Sequence, residues 1–227
     1  YAFIQYLQTL IYTSENISAK LENVWFKCYK EISNVNFAVS NIENVSGLSE
    51  EEKDKLKAEA LFFRAFNYFY LVRNFGGVPL ITEAYDGLDN IYVPRATVKE
   101  IYTLIEEDLL FATKVGLPNK AFTKSGFRIT QGAVDMLLAD VYLNMSGYPL
   151  LEDHYEDAAK YSRKIIKDAQ HSLLSHDNFE EASAYNKIRK LDNTDEYIYT
   201  FEYNNETFSN GDRGKYAIPS VSASWGI

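Results

Sequence analysis

The stretch AEALFFRAFNYFYLVRNFGGVPL, residues 58 to 80, carries Phe62, Phe63, Phe66, Tyr68, Phe69, Tyr70 and Phe75 in one helical pattern and then stops on Gly-Gly-Val-Pro. Ala58, Phe62, Ala65, Phe69 and Val72 form one apolar stripe, and Leu61, Tyr68 and Phe75 form a second. Only a narrow polar strip with Lys57 and Arg64 remains. A helix apolar on most sides must be sandwiched between neighbours, so this one is an inner element of a helical array and its rings, Tyr70 included, belong to the core. Gly76 suits the left-handed C-cap position, and Pro79 shortly afterwards forbids continuation because it has no amide hydrogen. Ser49 followed by Glu52 reads as a capping box opening the same helix, which therefore runs over 50 to 75.

The same logic extends along the chain. Leu21, Val24, Trp25, Cys28, Ile32, Val35, Val39 and Ile42 recur at threes and fours and predict a helix over 20 to 45. Thr97 with Glu100 forms a second capping box, opening a helix that ends near Gly116 and Pro118. Residues 76 to 96 make a long loop. Two further helices are predicted over 129 to 146 and 153 to 169, where Ala139, Tyr142, Tyr155 and Ala158 recur as a helix-turn-helix repeat needs. Beyond 190, Tyr197, Tyr199, Phe201 and Tyr203 alternate with Ile198, Thr200 and Glu202, which predicts a short β element, and 204 to 227 reads as loop.

The fold class is therefore mainly α, with tetratricopeptide-like helix-turn-helix pairs, a long irregular loop and a short β element near the C-terminus. The 227 residues read as one domain truncated at both ends, with a helical repeat scaffold over 20 to 190 and the start of a strand and loop-rich part over 191 to 227.

Composition excludes several functions. A net charge of −9 gives no support for attraction to a phosphate backbone, so nucleic acid is not the expected partner. The single cysteine, Cys28, lies in a helical pattern without a neighbouring His or second Cys and reads as a packed thiol. His154, His171 and His176 lack zinc spacing, no Gly-x-Ser-x-Gly elbow occurs, and NGDRGK (210 to 215) lacks the phosphate-loop spacing. DNTDE (192 to 196) lacks the turn glycine and terminal glutamate of a calcium loop. Glu106 with Glu107, and Glu180 with Glu181, are adjacent residues about 100° apart on a helix and read as a polar outer face rather than a glycosidase pair. No cofactor and no metal are expected.

What remains is aromatic. Tyr85, Tyr92, Phe208, Tyr216 and Trp225 lie in loops among Gly, Asn, Asp and Ser. A ring flanked by amides and carboxylates is suited to stacking on a sugar face while polar groups bind hydroxyls.

Five stretches then converge, in order, on a known pattern. The opening stretch resembles the EAxFLRAxxYFxLVRxFGxVPL helix of SusD/RagB-like proteins. VPRATVKEIYTLIEEDLLFA resembles that family's PRxxxxEVYxxIxxDLxxA, RITQGAVDMLLADVYLNM its RxTKGAAxALLAxVYLxM, and YEDAAKYSRKII its YxxAxxxAxxVI. Upstream, WFKCYKEISNVNFAVSNIE resembles WxxxYxxIxxxNxxLxxI. The resemblance spans about residues 20 to 203. It implies a non-catalytic outer-membrane lipoprotein that binds oligosaccharide or polysaccharide nutrients and delivers them to a SusC-like TonB-dependent transporter. It implies contact with the membrane only through a lipid anchor preceding Tyr1, since Cys28 is not the family's lipid-bearing cysteine. Two other readings compete: a helical-repeat scaffold for protein partners, and an all-α glycoside-processing enzyme, which would need two loop carboxylates at one pocket.

Overall fold

A computed structural model describes residues 14–85, 87, 92–119, 128–168, 170–175, 183, 184, 186 and 195–199, with side chains from residue 21 onward. Its helices are α1 (Ser14–Asn41), continued by a short 3-10 turn (Ile42–Asn44), α2 (Glu50–Phe75), α3 (Val98–Lys114), α4 (Gln131–Met145) and α5 (Tyr155–Lys167). The fold is mainly helical, as the periodicity predicts. Each helix packs on its chain neighbours, α1 on α2, α2 on α3, α3 on α4 and α4 on α5.

The chemistry that opens the helices is local. At α2 the Ser49 side chain accepts from the Glu52 amide while the Glu52 carboxylate accepts from the Ser49 amide, and Thr97 with Glu100 does the same at α3. In both glutamates these hydrogen bonds hold the carboxyl below its ordinary value: chiefly the Ser49 backbone bond for Glu52 and the Thr97 side-chain bond for Glu100. A depressed folded-state value means that the contribution is present above the ordinary carboxylate range and is lost as the pH falls through it. Ser49→Ala and Thr97→Ala should each lower stability by about 1 kcal/mol, read from urea midpoints at unchanged slope. The deficit should shrink in acid, where the wild-type box is itself protonated.

The aromatic helix occupies the inner place that its sequence requires. Phe62, Tyr68 and Phe69 are at most 1 % exposed. Trp25 of α1 meets Phe75 edge-on at 5.1 Å, and Phe69 meets Tyr102 of α3 at 6.2 Å. Cys28 is a free buried thiol, as expected, and burial pushes it above its ordinary value.

Three expectations about α2 are corrected. Tyr70 is not a core residue; it is 39 % exposed, on the side that neither neighbour covers. Arg64 does not line a solvated strip: it is buried beside Asp108. Gly76 ends the helix with its amide donating to the Val72 carbonyl, but at φ 68° and ψ −138° it lies outside the left-handed helical basin, in a region that a residue with a Cβ avoids. One smaller difference follows. Glu106, expected on an outer face, accepts a 2.7 Å hydrogen bond from the Tyr142 hydroxyl.

The predicted β element falls mostly outside the described residues. Residues 195–199 form a turn and irregular chain, with Tyr199 packed edge-on against Phe62 at 6.0 Å, and 200 to 203 are not described. Among the described residues the extended pairing is a single antiparallel bridge, Pro79 with Arg95, across the α2–α3 connection.

Candidate functional site

That connection carries Tyr85 and Tyr92, two of the candidate aromatics, and it is held by polar groups the core would otherwise reject. Arg64 of α2 donates from Nε and Nη2 to the two carboxylate oxygens of Asp108 on α3, at 2.8 and 2.7 Å. Its Nη1 donates to the Asn36 side-chain oxygen of α1 at 2.9 Å and to the Thr82 carbonyl at 3.1 Å. One guanidinium thus ties three helices to the loop. Its planar fork suits this, since it meets a carboxylate with two donors and keeps others for neighbouring acceptors. Burial raises the Asp108 carboxyl above its ordinary value against the pull of the two Arg64 hydrogen bonds.

The remaining partners act on the loop backbone directly. Asn36 Nδ2 donates to the Ile81 carbonyl at 2.9 Å and the Glu83 carbonyl at 3.3 Å. The Tyr68 hydroxyl accepts from the Ile81 amide at 2.7 Å and donates to the Ile81 carbonyl at 3.0 Å. Tyr29 donates to the Pro79 carbonyl at 2.7 Å. Chiefly through burial, the Tyr68 phenol is pushed up to about 12 and the Tyr29 phenol is raised as well, so both remain protonated donors. The backbone from Pro79 to Glu83 is therefore held at almost every residue by a side chain of the helical core.

At the start of the loop, Gly77 lies against the Ala96 carbonyl oxygen so closely that a Cβ there would overlap it. The Ala96 amide donates to the Val78 carbonyl at 2.9 Å and closes the loop on itself.

Two of the five candidate aromatics lie on this clamped loop. Tyr85, two residues past the last tie, is 48 % exposed, and Tyr92 is 92 % exposed. Phe208, Tyr216 and Trp225 lie outside the described residues. Tyr85 thus reaches solvent two residues beyond a tied backbone, an arrangement that lowers the entropy cost of capture at that ring. Sequence reasoning found the rings but missed Asn36, Tyr29, Arg64 and Asp108. Asn36, a polar position within the apolar stripe of α1, was the available signal.

Other acids are engaged by the scaffold. Asp135, raised by burial, is ion-paired with Lys164 at 3.3 Å, and both oxygens of Glu59 accept from Arg128 at 2.6 to 3.0 Å. The Glu59–Arg128 pair edges a cleft of about 490 Å³ with Leu48, Leu56 and Pro118. Among the described residues no group of three or more His, Cys, Asp or Glu could hold a metal, and no helix is long and apolar enough to cross a membrane.

Comparison with known proteins follows the same lines. Residues 3–143 match the model of a SusD-like family described as "Starch-binding associating with outer membrane". The SusD-like protein P2 of Formosa agariphila is 28 % identical over 203 residues, which is 87 % of this chain and 37 % of that protein. A SusD superfamily protein of Parabacteroides distasonis is 38 % identical with a TM-score of 0.68, over 76 % of this chain and 36 % of the other. A laminarin-binding SusD-like protein is 25 % identical with a TM-score of 0.63, over 74 % and 34 %. The chain spans little more than a third of the length of these relatives.

Proposed function

The chain belongs to the SusD-like family, and from that premise we propose that it is part of a cell-surface glycan-capture protein that performs no chemistry on its ligand. Neutral oligosaccharide or polysaccharide stacks on loop-borne rings, Tyr85 and Tyr92 among those described and Phe208, Tyr216 and Trp225 beyond them, while neighbouring polar groups meet the hydroxyls. Captured glycan then passes to a SusC-like TonB-dependent transporter in the outer membrane, to which the protein is tied by a lipid anchor upstream of Tyr1. The consecutive helices serve as tetratricopeptide-like pairs, the segment past 190 supplies a short β element, and residues 1 to 227 form part of one domain.

The observation that carries the reading is the clamped loop. Helix-borne polar groups order the backbone up to Glu83, and the next residues present Tyr85 to solvent. The relative that binds laminarin supports the ligand class. A second reading, a scaffold for protein partners, draws on Phe26 and Phe37, each 65 % exposed on α1. Affinity electrophoresis in gels cast with starch or laminarin separates the two. Tyr85→Ala and Tyr92→Ala should each weaken retardation about tenfold, because an aromatic contact contributes about 0.5–1.5 kcal/mol beyond its buried area. Phe26→Ala and Phe37→Ala should leave it unchanged. The reverse pattern would transfer the site to the helical face.

A further inference from the structure

The described arginines divide unevenly. Arg64, Arg73, Arg128 and Arg163 each reach a carboxylate within 3.9 Å: Asp108, Asp140, Glu59 and Glu156 respectively. Arg95 does not. It is exposed, and among the described residues its guanidinium has neither an ion pair nor a hydrogen bond.

The backbone that carries this free fork is fixed. Arg95 pairs with Pro79 in the antiparallel bridge, and the adjacent Ala96 amide donates to the Val78 carbonyl at 2.9 Å. On the same rung the Pro79 carbonyl accepts from the Tyr29 hydroxyl at 2.7 Å. Both Arg95 and Tyr85 act on that hydroxyl. Burial chiefly raises the Tyr29 phenol and Tyr68 adds to the rise, Arg95 pulls against it, and Tyr85 pushes it up again. Tyr85 is felt at the Tyr68 phenol as well, although burial dominates there. The two ends of the loop thus converge on the tyrosine pair beneath them. One end brings an exposed ring, Tyr85, and the other a set of N–H donors that no described residue occupies.

A guanidinium presents its donors in one rigid plane, spaced to meet two oxygens at once. Two adjacent free hydroxyls on one sugar unit offer that spacing without a charge. We propose that Arg95 is a specificity-determining residue of the Tyr85 subsite, its guanidinium donating to two adjacent hydroxyls of a sugar unit that stacks on the Tyr85 ring. The assignment rests on the glycan-capture reading above and adds to it a choice of linkage. A hexose linked through its C4 oxygen, as in starch, keeps the C2 and C3 hydroxyls side by side. One linked through its C3 oxygen, as along the laminarin chain, keeps no adjacent pair.

Affinity electrophoresis of the full-length protein in starch and laminarin gels, beside urea midpoints, tests it. Arg95→Met should weaken starch binding at least about tenfold, the scale of a hydrogen bond to a charged group, and leave laminarin binding within about twofold. Arg95→Lys should recover little in starch, since an ammonium is a point donor rather than a fork. In the double variant Tyr85→Ala with Arg95→Met, the starch loss should be smaller than the product of the two single losses, because both side chains hold one sugar unit. Neither Arg95 variant should move the urea midpoint, as expected of an exposed side chain. Equal losses in both gels, full rescue by lysine, independent losses in the double variant, a lowered midpoint, or a wild type retarded by laminarin alone would each overturn the assignment. Unchanged starch binding in Arg95→Met beside a clear loss in Tyr85→Ala would overturn it too, and leave the capture reading standing. A wild type retarded by neither polysaccharide, or Tyr85→Ala without effect, strikes the capture reading itself and the assignment with it.

Discussion

Arg64→Met should lower folding stability by about 3–5 kcal/mol, because it leaves the Asp108 carboxylate buried without its countercharge and removes the donor that serves Asn36 and Thr82. The pH dependence of the loss identifies its cause. Without Arg64, burial raises the Asp108 carboxyl further above its unfolded value, so stability is retained below the ordinary carboxylate range and lost as the pH rises through the folded-state value. The deficit relative to wild type should therefore be largest near neutrality and shrink in acid. A double variant, Arg64→Met with Asp108→Leu, removes the stranded charge and should recover part of the stability, since a buried ion pair replaced as a whole is often nearly neutral. Recovery should be incomplete because the Asn36 oxygen and the Thr82 carbonyl still lack their donor. Full recovery in urea melts would mean that the links from Arg64 to α1 and to the loop carry no stability of their own.

Gly77→Ala should be the next most damaging change, at about 1–3 kcal/mol, since the added methyl meets the Ala96 carbonyl, a backbone atom beside the Pro79–Arg95 bridge that cannot swing away. Its neighbour fails for a different reason. At Gly76 nothing lies within 4 Å of an added Cβ, yet φ is 68° and ψ −138°. Asn replaces Gly well in the left-handed helical basin but has no advantage at this ψ, so Gly76→Asn should destabilise as much as Gly76→Ala. Native-like stability of Gly76→Asn would return the residue to an ordinary left-handed cap. Gly77→Ala should also release the start of the loop and raise amide exchange at Ala96 and Ile81, whose amides are bonded to the Val78 carbonyl and the Tyr68 hydroxyl, which Gly76→Ala should do to a smaller extent.

These two changes also mark where sequence reasoning succeeds and where it stops. Helix ends were legible because their chemistry spans three residues: Ser49 with Glu52, and Thr97 with Glu100, satisfy each other whatever the rest of the chain does. The inner position of α2 was legible because apolar stripes on two sides admit no exposed solution. Arg64 was misread because its partners lie 28 and 44 residues away, and nothing local distinguishes an arginine that reaches water from one that reaches Asp108. Gly77 could be seen as a helix stop, but the reason only glycine fits is the Ala96 carbonyl, brought in by the fold. The family was legible for another reason again, the order of five helical motifs along the chain. Of the candidate site, Tyr85 and Tyr92 are exposed as their loop setting implies, whereas the clamp beneath them is a tertiary arrangement assembled from three helices.

Capture of glycan without chemistry, as proposed, is read out by a glycan-array screen of the full-length protein, with reducing-sugar release assayed on every hit. The expected result is retention of at least one neutral glycan class and no release of reducing ends above a protein-free blank. Sugar release that follows the purified protein through successive columns would contradict it, and an array without a single hit would move the function to the protein-scaffold reading.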